Sequence, residues 1–295
     1  MKNYILLICV ALLFGACSSK QDLDFEGFEK KDQIYSTKKA KNVSIKEAVS
    51  QLEPYQVIFV GDHHNTKKTH EFLNNILKEL IEKGYKIHLA NEWFYPEHNV
   101  MLKEYIDAKF DSDELKKKRD WDKFTKFDWN LSKMLYETVK NSDGELYGIN
   151  IPRDFRKHIS KKEIEKMNQE EKTFFDSLDL DVNAHQKLVN PYLKHCEKAS
   201  NSKACEERMY RVQVAWDSYM ANESYKLSKE VLKTSKDKLI VFAGAFHIDY
   251  DLGIPLRFAR LSNTPYTTVT NYEIYKDEDI KLHNNLGDIV YIYGK

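Results

Sequence analysis

Four short motifs in this sequence each contain side chains that can bind a metal ion or transfer a proton. The motifs are Gly61-Asp62-His63-His64-Asn65, Asn91-Glu92-Trp93-Phe94-Tyr95, Asn150-Ile151-Pro152-Arg153 and Gly244-Ala245-Phe246-His247-Ile248-Asp249-Tyr250. One histidine in such a motif is more often a structural residue than a ligand. Four motifs that each follow an apolar segment predict one shared site.

One chemistry open to these motifs is a divalent metal centre. Imidazole and carboxylate groups are common zinc ligands, and an open position would hold a water molecule. The candidate ligands are His63, His64, Glu92 and His247. A site of this kind predicts a metal-dependent hydrolase that acts on a peptide or an ester.

The second chemistry is haem binding. A tyrosine phenolate is a hard oxygen donor for ferric haem iron, and Tyr250 and Tyr95 are the candidates. Arg153 would favour the phenolate and could pair with a haem propionate. The three histidines named above would then hydrogen-bond the ligand or complete the coordination.

The elements that must position these motifs alternate along the chain. Apolar, β-branched runs predict strands, and apolar residues at helical spacing over 67–83 predict a helix that ends at Gly84. The predicted strands are residues 56–60, 86–90, 146–149, 239–243, 266–269 and 289–293. This alternation predicts an α/β fold with a mainly parallel central sheet flanked by helices. Ligands of such sheets bind at the carboxyl ends of the strands, where the four motifs lie.

Two long charged segments separate the predicted strands. Residues 97–140 and 155–233 carry helical patterns and are too long for simple crossover connections. We interpret them as insertions that form a helical cap over one end of the sheet. A helix predicted over 206–233 contains Gln213 and Asp217 among apolar neighbours, and this pair is either a surface pair or a device that orients a rim histidine or arginine.

The N-terminal sequence predicts a bacterial lipoprotein signal. A short positive start precedes 11 apolar residues, which are too few to span a bilayer, and Gly15-Ala16-Cys17 follows them. We expect a signal peptide over 1–16, acylation of Cys17 with palmitate among the chains, and a polar tether over 17–41. Residues 42–295 then form a single α/β domain that contains the candidate site, which is a haem-binding domain under the second chemistry. If the organism is Gram-negative, the absence of Asp from the position after the cysteine favours a lipid anchor in the outer membrane, which is the location that we expect.

The other cysteines and the charge balance limit what the protein can do. Cys9 leaves with the signal, so Cys196 and Cys205 remain, and an extracytoplasmic location predicts a disulfide between them. The alternative is a metal site shared with His195. The chain carries 46 Lys+Arg against 46 Asp+Glu, which excludes nucleic-acid binding driven by a basic excess.

The order and spacing of these motifs resemble the ChaN family of haem-binding, iron-regulated lipoproteins, within the Tiki and erythromycin-esterase-like superfamily. The resemblance rests on the four motifs, on His70, on the Gln213–Ala221 segment and on Gly253-Ile254-Pro255. It implies haem held between two protomers of a homodimer that forms on haem loading, with one Tyr ligating each iron and a His of the partner protomer assisting. Tyr250 lies in the matching stretch and ranks before Tyr95. An outer-membrane haem receptor is a further expected partner.

One motif departs from the family pattern. The family usually has Gly-Glu-x-His where this chain has Gly61-Asp62-His63-His64, and the aspartate is one methylene shorter. The substitution weakens the hydrolase interpretation and has little bearing on haem. We therefore expect a haem-binding protein rather than an enzyme.

Overall fold

A mostly parallel eight-stranded sheet organises the chain, whose computed structural model describes residues 22–24, 31–275, 281–283 and 285–294. The strands are β1 (Asp22–Asp24), β2 (Gln33–Ser36), β3 (Lys41–Val43), β4 (Val57–Asp62), β5 (Lys86–Asn91), β6 (Glu145–Gly148), β7 (Asp237–Gly244), β8 (Tyr266–Ile274), β9 (Lys281–His283) and β10 (Ile289–Gly294). The helices are α1 (Ile45–Leu52), α2 (Lys67–Glu82), α3 (Asn99–Ile106), α4 (Ser112–Lys118), α5 (Trp121–Phe124), α6 (Trp129–Lys140), α7 (Arg153–Lys161), α8 (Gln169–Asp176), α9 (Asn183–Val189), α10 (Ser202–Val231) and α11 (Ile254–Leu261). The predicted signal peptide and Cys17 lie outside the described residues.

The strand order explains why the predicted motifs share one edge. The order is β3-β2-β10-β8-β4-β7-β5-β6, and all neighbours from β10 to β6 are parallel. At one side of the sheet, β2 pairs antiparallel with both β10 and β3. β1 and β9 pair separately as an antiparallel ribbon. The predicted α/β fold with a mainly parallel sheet is confirmed.

Helices cover both faces of the sheet, as the continuous apolar strands β4 and β7 require. On one face, Leu73 and Leu77 of α2 pack with Leu135 of α6 against the sheet. On the other face, Met220 of α10 and Phe258 of α11 pack against alternate strand residues. No helix within the described ranges is both long and apolar enough to span a bilayer.

The two insertions contribute to these layers as well as to the rim above the strand ends. α6, from the first insertion, lies in one layer, and α10, from the second, lies in the other. Their remaining parts reach the strand-end edge, where the Phe127 ring contacts His64 and the Tyr192 ring contacts Phe246. The cap therefore continues the two layers and is not a separate lid.

Two features near the insertions and the N-terminus test the sequence interpretation. Cys196 and Cys205 form the predicted disulfide, with Cα atoms 5.5 Å apart, and it joins a 3₁₀ helix over 190–198 to α10. The predicted tether, by contrast, extends too far. Residues 33–36 form β2 in the sheet, because Tyr35 is buried and the strand pairs with β10 far along the chain.

Candidate functional site

The predicted strand-end motifs meet at one edge of the sheet. β4, β5 and β7 are neighbours and end at Asp62, Asn91 and Gly244. The Gly244 N–H donates a hydrogen bond of 2.8 Å to Glu92 Oε2, which ties the second motif to the fourth. The side chain of Asn150 donates to the Glu92 carbonyl at 2.7 Å, which ties in the third. Hydrogen bonds thus connect motifs that are far apart in sequence.

His247 and Asp217 form a buried pair at the centre of this edge. The Asp217 Oδ1 atom lies 2.5 Å from His247 Nδ1, and the Asp217 side chain is fully buried. Burial alone would raise the pKa of Asp217, but the charge of His247 and the hydrogen bonds to Asp217 hold that pKa well below its usual range. Burial would lower the pKa of His247, but Glu92 and Asp217 raise it above its usual value. These interactions favour the charged form of both side chains.

The contacts of α10 settle the question that the sequence left open. Gln213 Nε2 lies 3.0 Å from His247 Nδ1, and Arg257 Nη1 lies 3.9 Å from Asp217 Oδ2. Gln213 and Asp217 are thus directed inward, and they fix the orientation of His247 at the rim. His185 Nε2 stands 3.2 Å from Asp217 Oδ2 on the far side of the carboxylate.

The two histidines of the first motif point in different directions. His64 Nδ1 lies 2.8 Å from Asp62 Oδ2, and the His64 ring stands against Trp93. His63 Nδ1 instead lies 2.8 Å from the hydroxyl of Tyr293 in β10. Burial lowers the pKa of His63 and favours the neutral ring.

The structure does not assemble the four predicted metal ligands into a cluster. We compared the donor atoms of all His, Cys, Asp and Glu side chains that the structure describes. Only His195, Cys196 and Cys205 form a group of three whose donor atoms lie within 4.8 Å of one another. The two sulfurs of that group form the disulfide. His247 Nε2 and Glu92 Oε1, at 3.7 Å, form an ion pair within the proposed ligand set.

A cavity of about 440 Å³ opens beside the β4, β8 and β10 side of the edge. It contains Tyr250 and His63 from the predicted site, and aromatic rings dominate its wall. Its lining residues are His63, Leu188, Tyr192, Phe246, Asp249, Tyr250, Asn271, Tyr272, Glu273, Tyr275, His283 and Leu286. We call this space the Tyr250 cavity.

Tyr250 occupies an unusual position in that wall. Its φ is +61°, a left-handed conformation that is uncommon for a residue with a side chain, and its N–H donates to Leu286 O at 3.0 Å. Burial and the neighbouring Asp249 raise the pKa of Tyr250 to about 12. Asp249 Oδ1 is buried without a hydrogen-bond partner in the described part of the chain, and burial raises the pKa of that carboxyl.

Tyr95 and Arg153 lie on the other side of the edge, above β5 and β6. The Tyr95 ring faces the guanidinium of Arg119, whose Cζ is 5.0 Å from the ring centroid. The Arg153 Cζ lies 5.9 Å from the centroid of Phe124. Neither residue lines the Tyr250 cavity. The predicted haem residues are therefore divided between two groups.

Sequence reasoning missed several residues of the Tyr250 cavity. Tyr192 lies in the 3₁₀ helix of the second insertion, Tyr272 in β8, Tyr275 just after it, and His283 in β9. None of them sits in a strand-end motif, so neither residue type nor spacing indicates them. Only the pairing of the strands brings these segments to the first and fourth motifs.

Comparison with known proteins agrees with this geometry. A model of the family described as "Haem-binding uptake, Tiki superfamily, ChaN" matches residues 48–258. A search of curated proteins finds no match. Among solved structures, the chain is similar to ChaN of Campylobacter jejuni, which is described as binding haem cofacially. The TM-score is 0.67 at 20% identity, over 90% of this chain and 98% of that one.

Two further solved structures match the chain with lower TM-scores. The type III effector HopBA1 matches with a TM-score of 0.45 at 14% identity, over 85% of this chain and 93% of its own. A mutant of the erythromycin esterase EreC matches with a TM-score of 0.45 at 13% identity, over 82% and 76%. The family match spans well over half of the sequence, and the chain belongs to the ChaN family of haem-binding uptake proteins in the Tiki superfamily.

Proposed function

We propose that this protein takes up haem in the Tyr250 cavity, as a lipid-anchored carrier for haem and iron acquisition. The observation that carries the proposal is that phenol and imidazole donors share this cavity with the apolar side chains of Leu188, Phe246 and Leu286, at the strand-end edge of a haem-binding fold. Ferric haem is both a flat apolar body and a hard Lewis acid. Apolar side chains of the cavity can contact the flat body, and phenol or imidazole groups can bind the iron.

The donor set of the cavity fits haem. Tyr250 offers a phenol oxygen, the donor type that ligates ferric haem iron in some proteins, and His63 and His283 offer imidazoles. Leu188, Phe246 and Leu286 provide apolar surface for a macrocycle. When bound, the haem iron would take a phenolate oxygen as a ligand. Tyr250 is the first candidate and Tyr95 the second, and the structure adds Tyr192 to them.

A larger cavity elsewhere fits haem less well. It measures about 530 Å³ and lies between α7, α8 and α10, with Phe155, Phe174 and Tyr219 among its lining. Glu170, Glu171 and Glu223 also line it, together with Lys226, whereas two carboxylates, Asp249 and Glu273, line the Tyr250 cavity. The additional acidic side chain would repel the two propionates of haem more strongly. It also lacks histidine.

We further propose that haem loading joins two protomers. Tyr192 is 68% exposed and Tyr275 is 49% exposed, so one wall of the cavity stands open to solvent. A macrocycle bound there would keep an exposed face, which a second protomer and its haem can cover. The cofacial binding described for the C. jejuni protein supports this arrangement. A ligand shared across an interface couples loading to dimerisation by mass action.

The location of the carrier is a second part of the proposal. The lipoprotein signal supports acylation at Cys17 and an anchor in the outer membrane, where a haem receptor would be the partner. Labelling with palmitate tests this step, because the label should appear on the wild type and be absent from Cys17→Ser. Equal labelling of both would contradict the anchor.

The hydrolase alternative has less support. Its four proposed ligands do not form a donor cluster, and His63 is turned toward Tyr293. The buried pair of His247 and Asp217 orients a side chain without requiring a metal ion.

Titration of haemin into the protein that begins at Ser18 tests the proposal. We expect saturable binding, a visible spectrum typical of ferric iron with a phenolate ligand, and a doubling of the sedimentation mass on loading. Absence of saturable binding would contradict the carrier function. Saturable binding without a change in mass would contradict the dimer alone.

A further inference from the structure

The seven arginines of the chain fall into two classes when their partners are compared. Five donate to a defined acceptor, and these are Arg119, Arg208, Arg211, Arg257 and Arg260. Within the residues that the structure describes, the guanidinium groups of Arg153 and Arg156 have neither a hydrogen-bond acceptor nor a carboxylate within 4.0 Å. Both belong to the first turn of α7, and Arg153 is the last residue of the third strand-end motif.

An aromatic ring lies near each of the two unpaired guanidiniums. The Arg156 Cζ lies 4.2 Å from the centroid of Trp216, and the Arg153 Cζ lies 5.9 Å from that of Phe124. Trp216 Nε1 donates to Asn150 Oδ1 at 2.7 Å, so the indole is fixed to the strand end. A guanidinium that stacks on a ring leaves its N–H groups free at its edge.

The electrostatic surroundings leave this pair short of negative charge. Glu92 is the carboxylate whose charge acts on Arg156, but its Oε2 accepts from Gly244 N and its Oε1 faces His247. Burial lowers the pKa of Arg156, and the like charge of Arg153 adds to this effect. Arginine keeps its charge under such conditions, so an anion that bound both groups would relieve their repulsion.

We propose that Arg153 and Arg156 form a carboxylate-binding subsite at the β5 and β6 side of the strand-end edge. The fork of each guanidinium matches a carboxylate in a two-point hydrogen bond. The carboxylate comes either from a propionate of a haem bound on the Tyr95 side of the edge, in which case the inference rests on the proposed haem function with Tyr95 as the ligand, or from a separate small carboxylic acid. The Trp216 ring links the subsite to His247, at 5.3 Å between ring centroids.

The experiment compares haemin with its dimethyl ester, which lacks the propionate charges, on the wild type, Arg153→Gln and Arg156→Gln. Arg260→Gln is the matched control, because Arg260 pairs with Asp179 on the surface. If the subsite holds a propionate, haemin binding weakens about tenfold or more in the two test variants, as expected for loss of a charged hydrogen bond. The ester should bind the wild type and both variants alike.

In a second experiment, succinate is titrated into the same proteins without haem, and its binding is measured by calorimetry. If the carboxylate is a separate molecule, succinate binds the wild type and Arg260→Gln but not Arg153→Gln, while haemin binding stays unchanged in all of them. Arg153 is exposed, so its substitution should leave the fold intact even where Arg156→Gln loosens the Trp216 stack. The inference is overturned if the test variants bind both probes as the wild type does. If the wild type does not bind haemin, the haem function is contradicted. The succinate titration alone then tests whether the carboxylate subsite exists.

Discussion

Asp217 Oδ1 lies 2.5 Å from His247 Nδ1, and this pair joins the helical layer to the strand-end edge. Asp217 belongs to α10 and His247 follows β7, so the contact fixes the helix against the sheet at the point where the four motifs meet. Both side chains are buried, so removal of one partner leaves the other charged and unpaired in the interior, which strongly lowers the free energy of unfolding. The following predictions test its role and that of the neighbouring cavity.

Asp217→Asn should destabilise the fold strongly. The substitution leaves His247 buried beside a neutral amide, and loss of one partner of a buried ion pair costs about 3–5 kcal/mol. Urea unfolding measures the change. Asp179→Asn is the control, because that carboxylate pairs with Arg260 at the surface, where the expected cost is about 1 kcal/mol or less. Equal effects of the two substitutions would contradict the assigned role.

The stabilisation from this pair should depend on pH in a defined window. The raised pKa of His247 means that its contribution is present below the unfolded value and is lost as the pH rises through the folded pKa. The lowered pKa of Asp217 means that its contribution is present above the unfolded value and is lost at acid pH. With ordinary values of about 3.9 and 6.5, the pair stabilises most between about pH 4 and 6.5.

The difference in unfolding free energy between the wild type and His247→Gln isolates this effect from other titrating groups. It should be larger at about pH 5–6 than at about pH 9. A difference that grows toward alkaline pH would show that His247 is neutral in the folded protein, contrary to our account.

Haem binding should strengthen as the pH rises. Tyr250 carries its proton at neutral pH, because its pKa is raised to about 12, so formation of a phenolate ligand releases that proton. The dissociation constant for haemin should therefore fall by up to about tenfold per pH unit. Titrations over the neutral range measure the slope, and the Tyr250→Phe protein should lack it. A flat profile in the wild type would indicate another ligand.

Loss of the disulfide should loosen one wall of the Tyr250 cavity. The Cys196–Cys205 bond closes a short loop and fixes the 3₁₀ helix that carries Tyr192. Cys196→Ser with Cys205→Ser should cost about 2–4 kcal/mol of unfolding free energy and weaken haemin binding. Reductant should weaken the wild type and leave the double variant unchanged. An unchanged haemin affinity in the double variant would show that this wall does not contact haem.

Local sequence patterns predicted the elements whose apolar surface is continuous. β4 and β7 are buried along their whole length, and their runs of β-branched and aromatic residues give clear boundaries. The sequence left the direction of Asp217 open between a surface pair and an inward orienting role, because helical spacing alone does not show which packed element faces it. The four motifs directly follow predicted strands, and this indicated that the candidate ligands lie at the carboxyl ends of the strands.

The remainder depends on pairing that the sequence does not encode locally. β2 and β3 are short and partly polar, and they exist because β10 offers them an edge. The division of the predicted haem residues also follows from strand order, because β4 and β7 separate the neighbours of Tyr250 from those of Tyr95. No motif spacing specifies that order.

The central claim is that Tyr250 binds the haem iron, and the visible spectrum of haemin with the wild type, Tyr250→Phe and Tyr95→Phe tests it most directly. Both substitutions remove only a hydroxyl, and Tyr95 lies outside the cavity, which makes it the matched control. We predict that the phenolate spectrum is lost in Tyr250→Phe and kept in Tyr95→Phe. A phenolate spectrum that survives in Tyr250→Phe would contradict the account, and its loss in Tyr95→Phe alone would move the haem to the other side of the edge.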